Sequence, residues 1–165
     1  MKKEQLVRHE FEPVYDKNSE FLILGSFPSV KSREQGFYYG HPQNRFWKVL
    51  AAIVQEKIPD SIEEKKEMLL RNHIAVYDVV WQCKIIGSSD SSIKDVVPAD
   101  ITTIVENSKI RKIYANGKLA EKLFAKYQEK KVGIKAKGLP STSPANAAYS
   151  LERLVEIWSE QIRQK

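Results

Sequence analysis

Phe21-Leu22-Ile23-Leu24-Gly25 opens the stretch FLILGSFPSVKSREQGFYYGHPQNRFWKVLA, residues 21–51, as an apolar run too short for a helix and halted by glycine. A run of this kind marks a strand covered on both faces, as in parallel sheets packed between helices. A loop of small polar residues and Pro28 follows, then the adjacent aromatics Phe37, Tyr38 and Tyr39. The stretch closes with Asn44 at the mouth of a helix that starts with Phe46 and Trp47. In open α/β sheets ligands bind beyond the carboxyl ends of the strands. Flat aromatics beside a neutral amide suit a planar ligand better than a phosphate or a metal.

Working outward, the chain alternates strand and helix. The first strand leads to a helix from about Asn44 to Gln55, and Asp60-Ser61 cap another that ends near Asn72, with Glu63 or Glu64 in capping-box position. Ile74–Val80 reads as a second buried strand and Gly87–Asp90 as a loop. Asp100 caps a short helix to about Asn107, and Arg111–Ala115 is a third strand. Asn116-Gly117 opens a helix with Leu119, Leu123 and Tyr127 on one face, and Ile134–Leu139 is the fourth strand. The last helix carries Leu151, Leu154, Val155, Trp158 and Ile162 at helical spacing, which makes Trp158 a core residue. Strands separated by helices predict a three-layer α/β/α sandwich with a central, mainly parallel four-stranded sheet, a single domain over residues 1–165.

A second ligand-facing loop lies near the other end of the chain. Pro140-Ser141-Thr142-Ser143-Pro144-Ala145-Asn146 leads out of the fourth strand. Serine followed by proline is a helix-start signal, so the last helix is expected to begin at Ser143 and to aim its positive end at an anion. One aromatic loop and one phosphate-friendly loop imply a nucleotide held between them.

Composition sets bounds. The net charge of +6 and pI near 9.3 favour an anionic partner, and the lysines from Lys130 to Lys137 read as a solvated helix end and strand flank. The single cysteine, Cys83, excludes a disulfide framework and a four-cysteine metal or iron–sulfur site, and reads as a core thiol. His9, His41 and His73 have no metal-ligand spacing. No window approaches a membrane span and the start has no signal-peptide core, so a cytoplasmic protein is expected. The chain lacks GxxxxGK[ST] and GxGxxG, which argues against NTP hydrolysis and dinucleotide binding.

FYYGHPQNRFWKVL together with LPSTSPAN resembles the uracil-DNA glycosylase superfamily, most closely its hypoxanthine-DNA glycosylase (DNA-deoxyinosine glycosylase) group. HPxNRFW is similar to the mismatch-specific members, and AVYDVVWQC with GSSDSSI extends the likeness over most of residues 20–160. The resemblance implies a monofunctional glycosylase that flips a deaminated base, hypoxanthine above all, out of DNA and hydrolyses its glycosidic bond without metal or cofactor. It implies Asn44 as the catalytic residue, orienting water or substrate; read from the residues alone, Asn44 is a helix cap first, and the resemblance reverses that order. Many superfamily members place a catalytic Asn or Asp two residues after the first-loop glycine, where this chain has Phe27. The hypoxanthine group shares that loss. Phe27, Tyr39 and Asp78 are assigned to the base pocket, Tyr39 as a stacking platform and Asp78 as a base-edge contact. Ser29, Ser141, Thr142, Ser143, Pro144, Ala145 and Asn146 are assigned to DNA.

The expected partner is DNA containing a deaminated base, bound by a monomer. A uracil- or mismatch-specific glycosylase remains open, as does a silent nucleic-acid-binding module, which Phe27 keeps in play. An α/β enzyme acting on free nucleosides remains a third class, though no carboxylate nucleophile or metal cluster stands out for it.

Overall fold

A computed structural model describes residues 3–162. In chain order the elements are β1 (Glu4–Arg8), β2 (Phe21–Gly25), α1 (Val30–Gln35), α2 (Phe46–Val54), α3 (Ile62–Arg71), β3 (Ile74–Asp78) and β4 (Val80–Ile86). They continue with β5 (Lys94–Pro98), α4 (Ile101–Glu106), β6 (Lys112–Asn116), α5 (Lys118–Tyr127), α6 (Glu129–Val132), β7 (Ala136–Leu139) and α7 (Leu151–Ile162).

Four strands form the expected parallel sheet, in the order β3-β2-β6-β7. All five residues of β3 are buried, and Leu22, Ile23 and Leu24 of β2 have no exposed surface, because helices cover both faces of the sheet. The helices carry their own signals. Ser61 accepts from Glu64 N at 3.0 Å and Glu64 Oε1 accepts from Asp60 N at 3.2 Å, which closes α3 in the manner of a capping box. Asp100 caps α4 through Thr103 N. Cys83 is a fully buried thiol, its pKa pushed up to about 11 by burial and lowered slightly by Arg33. The lysines at 130, 131, 135 and 137 are exposed, as expected of a solvated flank.

Three features depart from the sequence reading. The run from Ile74 to Val80 is not one strand. It ends at Asp78, and from Val80 the chain joins a second, antiparallel sheet ordered β1-β4-β5. Both segments are apolar and buried there, so hydrophobicity alone does not show where one sheet hands over to the other. Helix α1 is also new: its sequence VKSREQ has no apolar stripe, and its boundaries come from Ser29, which accepts from Ser32 N, and Gly36 at φ 71°.

The third departure concerns the final helix, which starts at Leu151 rather than Ser143. Its opening residue is capped by Ser150, whose Oγ accepts from Arg153 N at 3.1 Å. Ser143-Pro144 instead opens a turn, with Ala145 N donating to Ser143 Oγ at 3.1 Å. A helix across 143–150 would require its carbonyls for internal bonds. The Arg45 guanidinium claims those of Ser143, Asn146 and Tyr149 first. The last helix therefore does not begin at this loop.

Trp158 has no exposed surface, meets Phe46 edge-on at 6.1 Å and donates from Nε1 to Pro140 O at 2.9 Å. It therefore pins the start of the second loop to the core. Trp158→Ala should lower the unfolding free energy by about 3–5 kcal/mol in urea melts. Trp158→Phe should cost less but leave the Pro140 carbonyl without its donor.

Candidate active site

Three strand ends converge at one place. β2 ends at Gly25, β3 at Asp78 and β6 at Asn116, while β7 leads directly to Pro140 and Ser141. Strand order reverses between β2 and β6, which opens a crevice at their carboxyl ends. The crevice is a cleft of about 450 Å³. Phe27, Ser29, Tyr39, Asn44, Asp78, Ser141, Thr142, Ser143, Pro144 and Ala145 all line it. Of the residues assigned from sequence, Asn146 stands apart: its side chain donates to Ser141 O at 3.0 Å and braces the loop from behind.

The second loop owes its shape to Arg45. Residues 140–150 contain no helix or strand, so their carbonyls need other donors. Arg45 donates from Nη2 to Ser143 O at 2.8 Å and Asn146 O at 3.1 Å, from Nη1 to Tyr149 O, and from Nε to Thr142 O at 3.4 Å. Its backbone N–H also donates to Thr142 O at 3.1 Å. A planar fork with fixed donors can serve several carbonyls at once, which a lysine ammonium cannot.

Thr142, with no exposed surface, is the joint between the loops. Its Oγ1 donates to Asn44 Oδ1 at 2.8 Å and accepts from Asn116 Nδ2 at 3.0 Å, while its N–H donates to Asn116 Oδ1 at 3.0 Å. With its hydroxyl satisfied internally, Thr142 organises the site, and Ser141, Ser143, Pro144 and Ala145 form the outer wall. Ser29 lies across the cleft, and its hydroxyl caps α1.

Asn44 Oδ1 accepts twice, from Thr142 Oγ1 and from Phe46 N at 2.9 Å. The second bond corrects the sequence expectation: the N-cap of α2 is Arg45, which has no side-chain cap bond, and Asn44 sits one residue earlier, supporting the first helical N–H through a turn. Because both partners are donors, they fix the amide orientation and leave Nδ2 as the group that can serve a ligand. Asn44 thus meets the cleft as a donor.

The aromatics divide as their burial dictates. Phe37 and Tyr38 are core, Tyr38 donating to Glu12 O at 2.8 Å. Tyr39 is half-buried, stacks on Phe46 at 3.8 Å and 19°, and holds a left-handed backbone at φ 54°. Such a backbone is strained for a bulky residue and is kept only where its surroundings enforce it. The Tyr39 hydroxyl is buried, and burial together with Asp78 raises its pKa. Asn116 lies close enough to oppose that shift, but no well-formed hydrogen bond joins them. Phe27 is 8% exposed and forms another wall.

Asp78 is 4% exposed, and its Oδ2 lies 2.7 Å from His9 Nε2. Gly25 permits its position: a Cβ there would come within 2.5 Å of Asp78 Oδ1 and 3.0 Å of the Tyr39 hydroxyl.

The same chain organisation occurs in proteins already known. The sequence model of the uracil DNA glycosylase superfamily matches residues 12–161. The chain belongs to the uracil-DNA glycosylase superfamily. It is 36% identical over 162 residues to a hypoxanthine DNA glycosylase of Methanosarcina acetivorans, covering 96% of this chain and 99% of that one. A hypoxanthine DNA glycosylase of Methanosarcina barkeri is 33% identical over 157 residues, with 93% and 96% covered. The solution NMR structure of a uracil DNA glycosylase candidate from Methanosarcina acetivorans superposes with a TM-score of 0.78 at 32% identity, covering 94% of this chain and 98% of that one. Membership makes the protein a DNA glycosylase, a hydrolase of N-glycosidic bonds. No helix among the described residues is long and apolar enough to cross a membrane.

For a glycosylase of this superfamily, the cleft holds residues the sequence reading passed over. Ser88, Ser89 and Asp90 line it from the loop after β4, within the GSSDSSI segment that carried part of the resemblance. Asp90 has a raised pKa, from desolvation and the nearby Asp78, partly offset by the neighbouring Ser26 side chain. His9 contacts Asp78 across a separation of 69 residues, which no local pattern could signal. Asn116 was read only as a helix opener.

Two substitutions test this construction. Gly25→Ala should displace Asp78 or Tyr39 and slow base release in protein that stays folded by circular dichroism. Arg45→Lys should leave loop carbonyls without donors, at about 1–3 kcal/mol. Faster amide exchange confined to residues 140–150 is the expected signature.

Proposed function

We propose that the protein is a monofunctional DNA glycosylase that excises hypoxanthine from deoxyinosine in DNA, acting as a monomer. The observation that carries the reading is the combination, in one cleft, of aromatic walls, a buried carboxylate and a fixed amide donor. Two relatives named hypoxanthine DNA glycosylase support it.

Deamination changes the hydrogen-bonding edge of a base in one consistent way. Adenine N1 and cytosine N3 are acceptors, whereas hypoxanthine N1 and uracil N3 carry protons. A buried carboxylate such as Asp78 accepts from an N–H and repels a lone pair, so it favours the deaminated form. Guanine and thymine also carry a ring N–H, and the shape of the cleft must reject them. Phe27 and Tyr39 supply flat apolar surface, and a stacked base is worth roughly 1–3 kcal/mol in single-strand binding systems. That gain offsets part of the few kcal/mol needed to unstack the base.

In the reaction, a water oxygen bonds to C1′ while the glycosidic nitrogen leaves with its bonding pair. The proton released by the water passes to the base or to solvent. Asn44 Nδ2 holds the water for attack on the oxocarbenium-like sugar. Among the described residues the cleft lining includes no lysine, so a Schiff-base route with strand cleavage has no side-chain amine there. Ser29, Ser141, Ser143, Pro144 and Ala145 grip the flanking backbone through hydroxyls and main-chain groups, with Thr142 and Asn146 holding that loop in place. The positive net charge draws the phosphates in.

A labelled panel of duplexes containing deoxyinosine, deoxyuridine or deoxyxanthosine, treated with alkali after incubation, tests the reading. Hypoxanthine release leaving an intact abasic site is expected. Release of uracil alone would keep the superfamily and sink the substrate assignment.

The Asn44 geometry generates a second test. Asn44→Ala removes both the acceptor for Phe46 N–H and Thr142 Oγ1 and the free donor: it should cost about 1 kcal/mol of stability and slow single-turnover release by about 10²-fold. Asn44→Asp preserves the accepting oxygen but replaces the donor with an acceptor. It should be nearly as stable as wild type and nearly as slow as alanine. A folded Asn44→Ala protein with the wild-type single-turnover rate would falsify the catalytic assignment.

A further inference from the structure

We propose that His9 is a positioning residue for base selection: it holds the Asp78 carboxylate in place so that Oδ1 accepts from the ring N–H of the flipped base. The proposal rests on the reading of the cleft as a hypoxanthine pocket. His9 precedes the stretch matched by the superfamily model, which begins at residue 12.

The pair is built, not incidental. The side chain of His9 is 0% exposed and that of Asp78 is 5% exposed, and Nε2 and Oδ2 are 2.7 Å apart. His9 follows directly on β1, and its own N–H donates to Trp81 O at 2.7 Å, which ties it to β4. Around the imidazole stand Phe11 at 4.5 Å, Tyr77 at 4.9 Å, Tyr38 at 5.8 Å and Phe27 at 6.3 Å. This cage fixes the ring plane. Nδ1 is buried and has no hydrogen-bond partner among the described residues. A proton there would lack an acceptor, so the proton belongs on Nε2, where it is donated to Asp78.

The bond to His9 is the single hydrogen bond made by the Asp78 carboxylate among the described residues. It leaves Oδ1 uncommitted above Gly25, at the floor of the cleft. One oxygen is therefore held by the protein, and the other is presented to the ligand. Without the His9 donor, the buried carboxylate would be free to rotate, and Oδ1 would no longer be held where it accepts from a ring N–H and repels adenine N1. The sheet β1-β4-β5 thus gains a function: it delivers His9 to the end of a strand in the other sheet.

The test is a double-mutant cycle read by single-turnover release of hypoxanthine, uracil and adenine. If His9 acts through Asp78, His9→Leu and Asp78→Asn should each slow hypoxanthine release by ~10-fold or more, and the double variant should be no slower than Asp78→Asn alone. Each should also narrow the ratio of hypoxanthine to adenine release. His9→Gln can still donate to Oδ2, and it should recover most of the rate and the ratio. Additive losses, or a glutamine variant no better than leucine, would overturn the proposal. Should His9→Leu not fold, ¹⁵N spectra of the wild-type imidazole decide: protonated Nε2 and bare Nδ1 support the pair, and a proton on Nδ1 refutes it. Failure of the wild type to release hypoxanthine at all would instead overturn the reading of the pocket, so the two failures are separable.

Discussion

The site depends on one guanidinium reaching across nearly a hundred residues. Arg45 joins the start of α2 to the carbonyls of Thr142, Ser143, Asn146 and Tyr149. An irregular loop between a strand and a helix has no internal ladder to hold it, and a water-facing loop of this length would sample many shapes. Charge-assisted bonds from a rigid planar donor select one of them. The same contact places Thr142 against Asn44, so the loop and the amide are positioned by neighbouring links of one network.

That network separates two roles within a single side chain. Asn44 Oδ1 satisfies the helix terminus and the Thr142 hydroxyl, which turns a flexible amide into an oriented donor. Support of the helix start and site chemistry are not rival explanations here, because they use different atoms. A similar division occurs in Asp78, with Oδ2 held by His9 and Oδ1 left over Gly25. In both residues, the protein immobilises one end of a planar group and leaves the other for a ligand. Preorganisation of this kind means the polar groups need little rearrangement when a base arrives.

Phe27 gains meaning from the same arrangement. Where many superfamily members have a polar residue, this chain has an aromatic wall that is 8% exposed and packs edge-on toward His9. An aromatic side chain at this position keeps one polar side chain away from the Asp78 carboxylate. Arg33 lies over the ring, 5.8 Å from its centroid, and donates to Gly87 O at 2.7 Å. It thereby links the first loop to the one bearing Ser88, Ser89 and Asp90.

The sequence by itself determined the parallel sheet, most of its helices and the two loops that line the cleft. Those features rest on local physics: apolar runs of strand length, caps such as Ser61 and Asp100, and glycine or proline at chain reversals. It also marked Trp158 as core and Cys83 as a buried thiol, since helical spacing and apolar flanks are visible without a fold. Only the tertiary structure decided where Ile74–Val80 changes sheets, because buried strands of two sheets look alike in one dimension. Only it placed the last helix at Leu151, since the Ser143-Pro144 signal is local and the Arg45 contacts that override it are distant. The pairing of His9 with Asp78 was illegible for the same reason: a hydrogen bond across 69 residues leaves no periodicity in the chain, only two side chains that the fold brings within 2.7 Å.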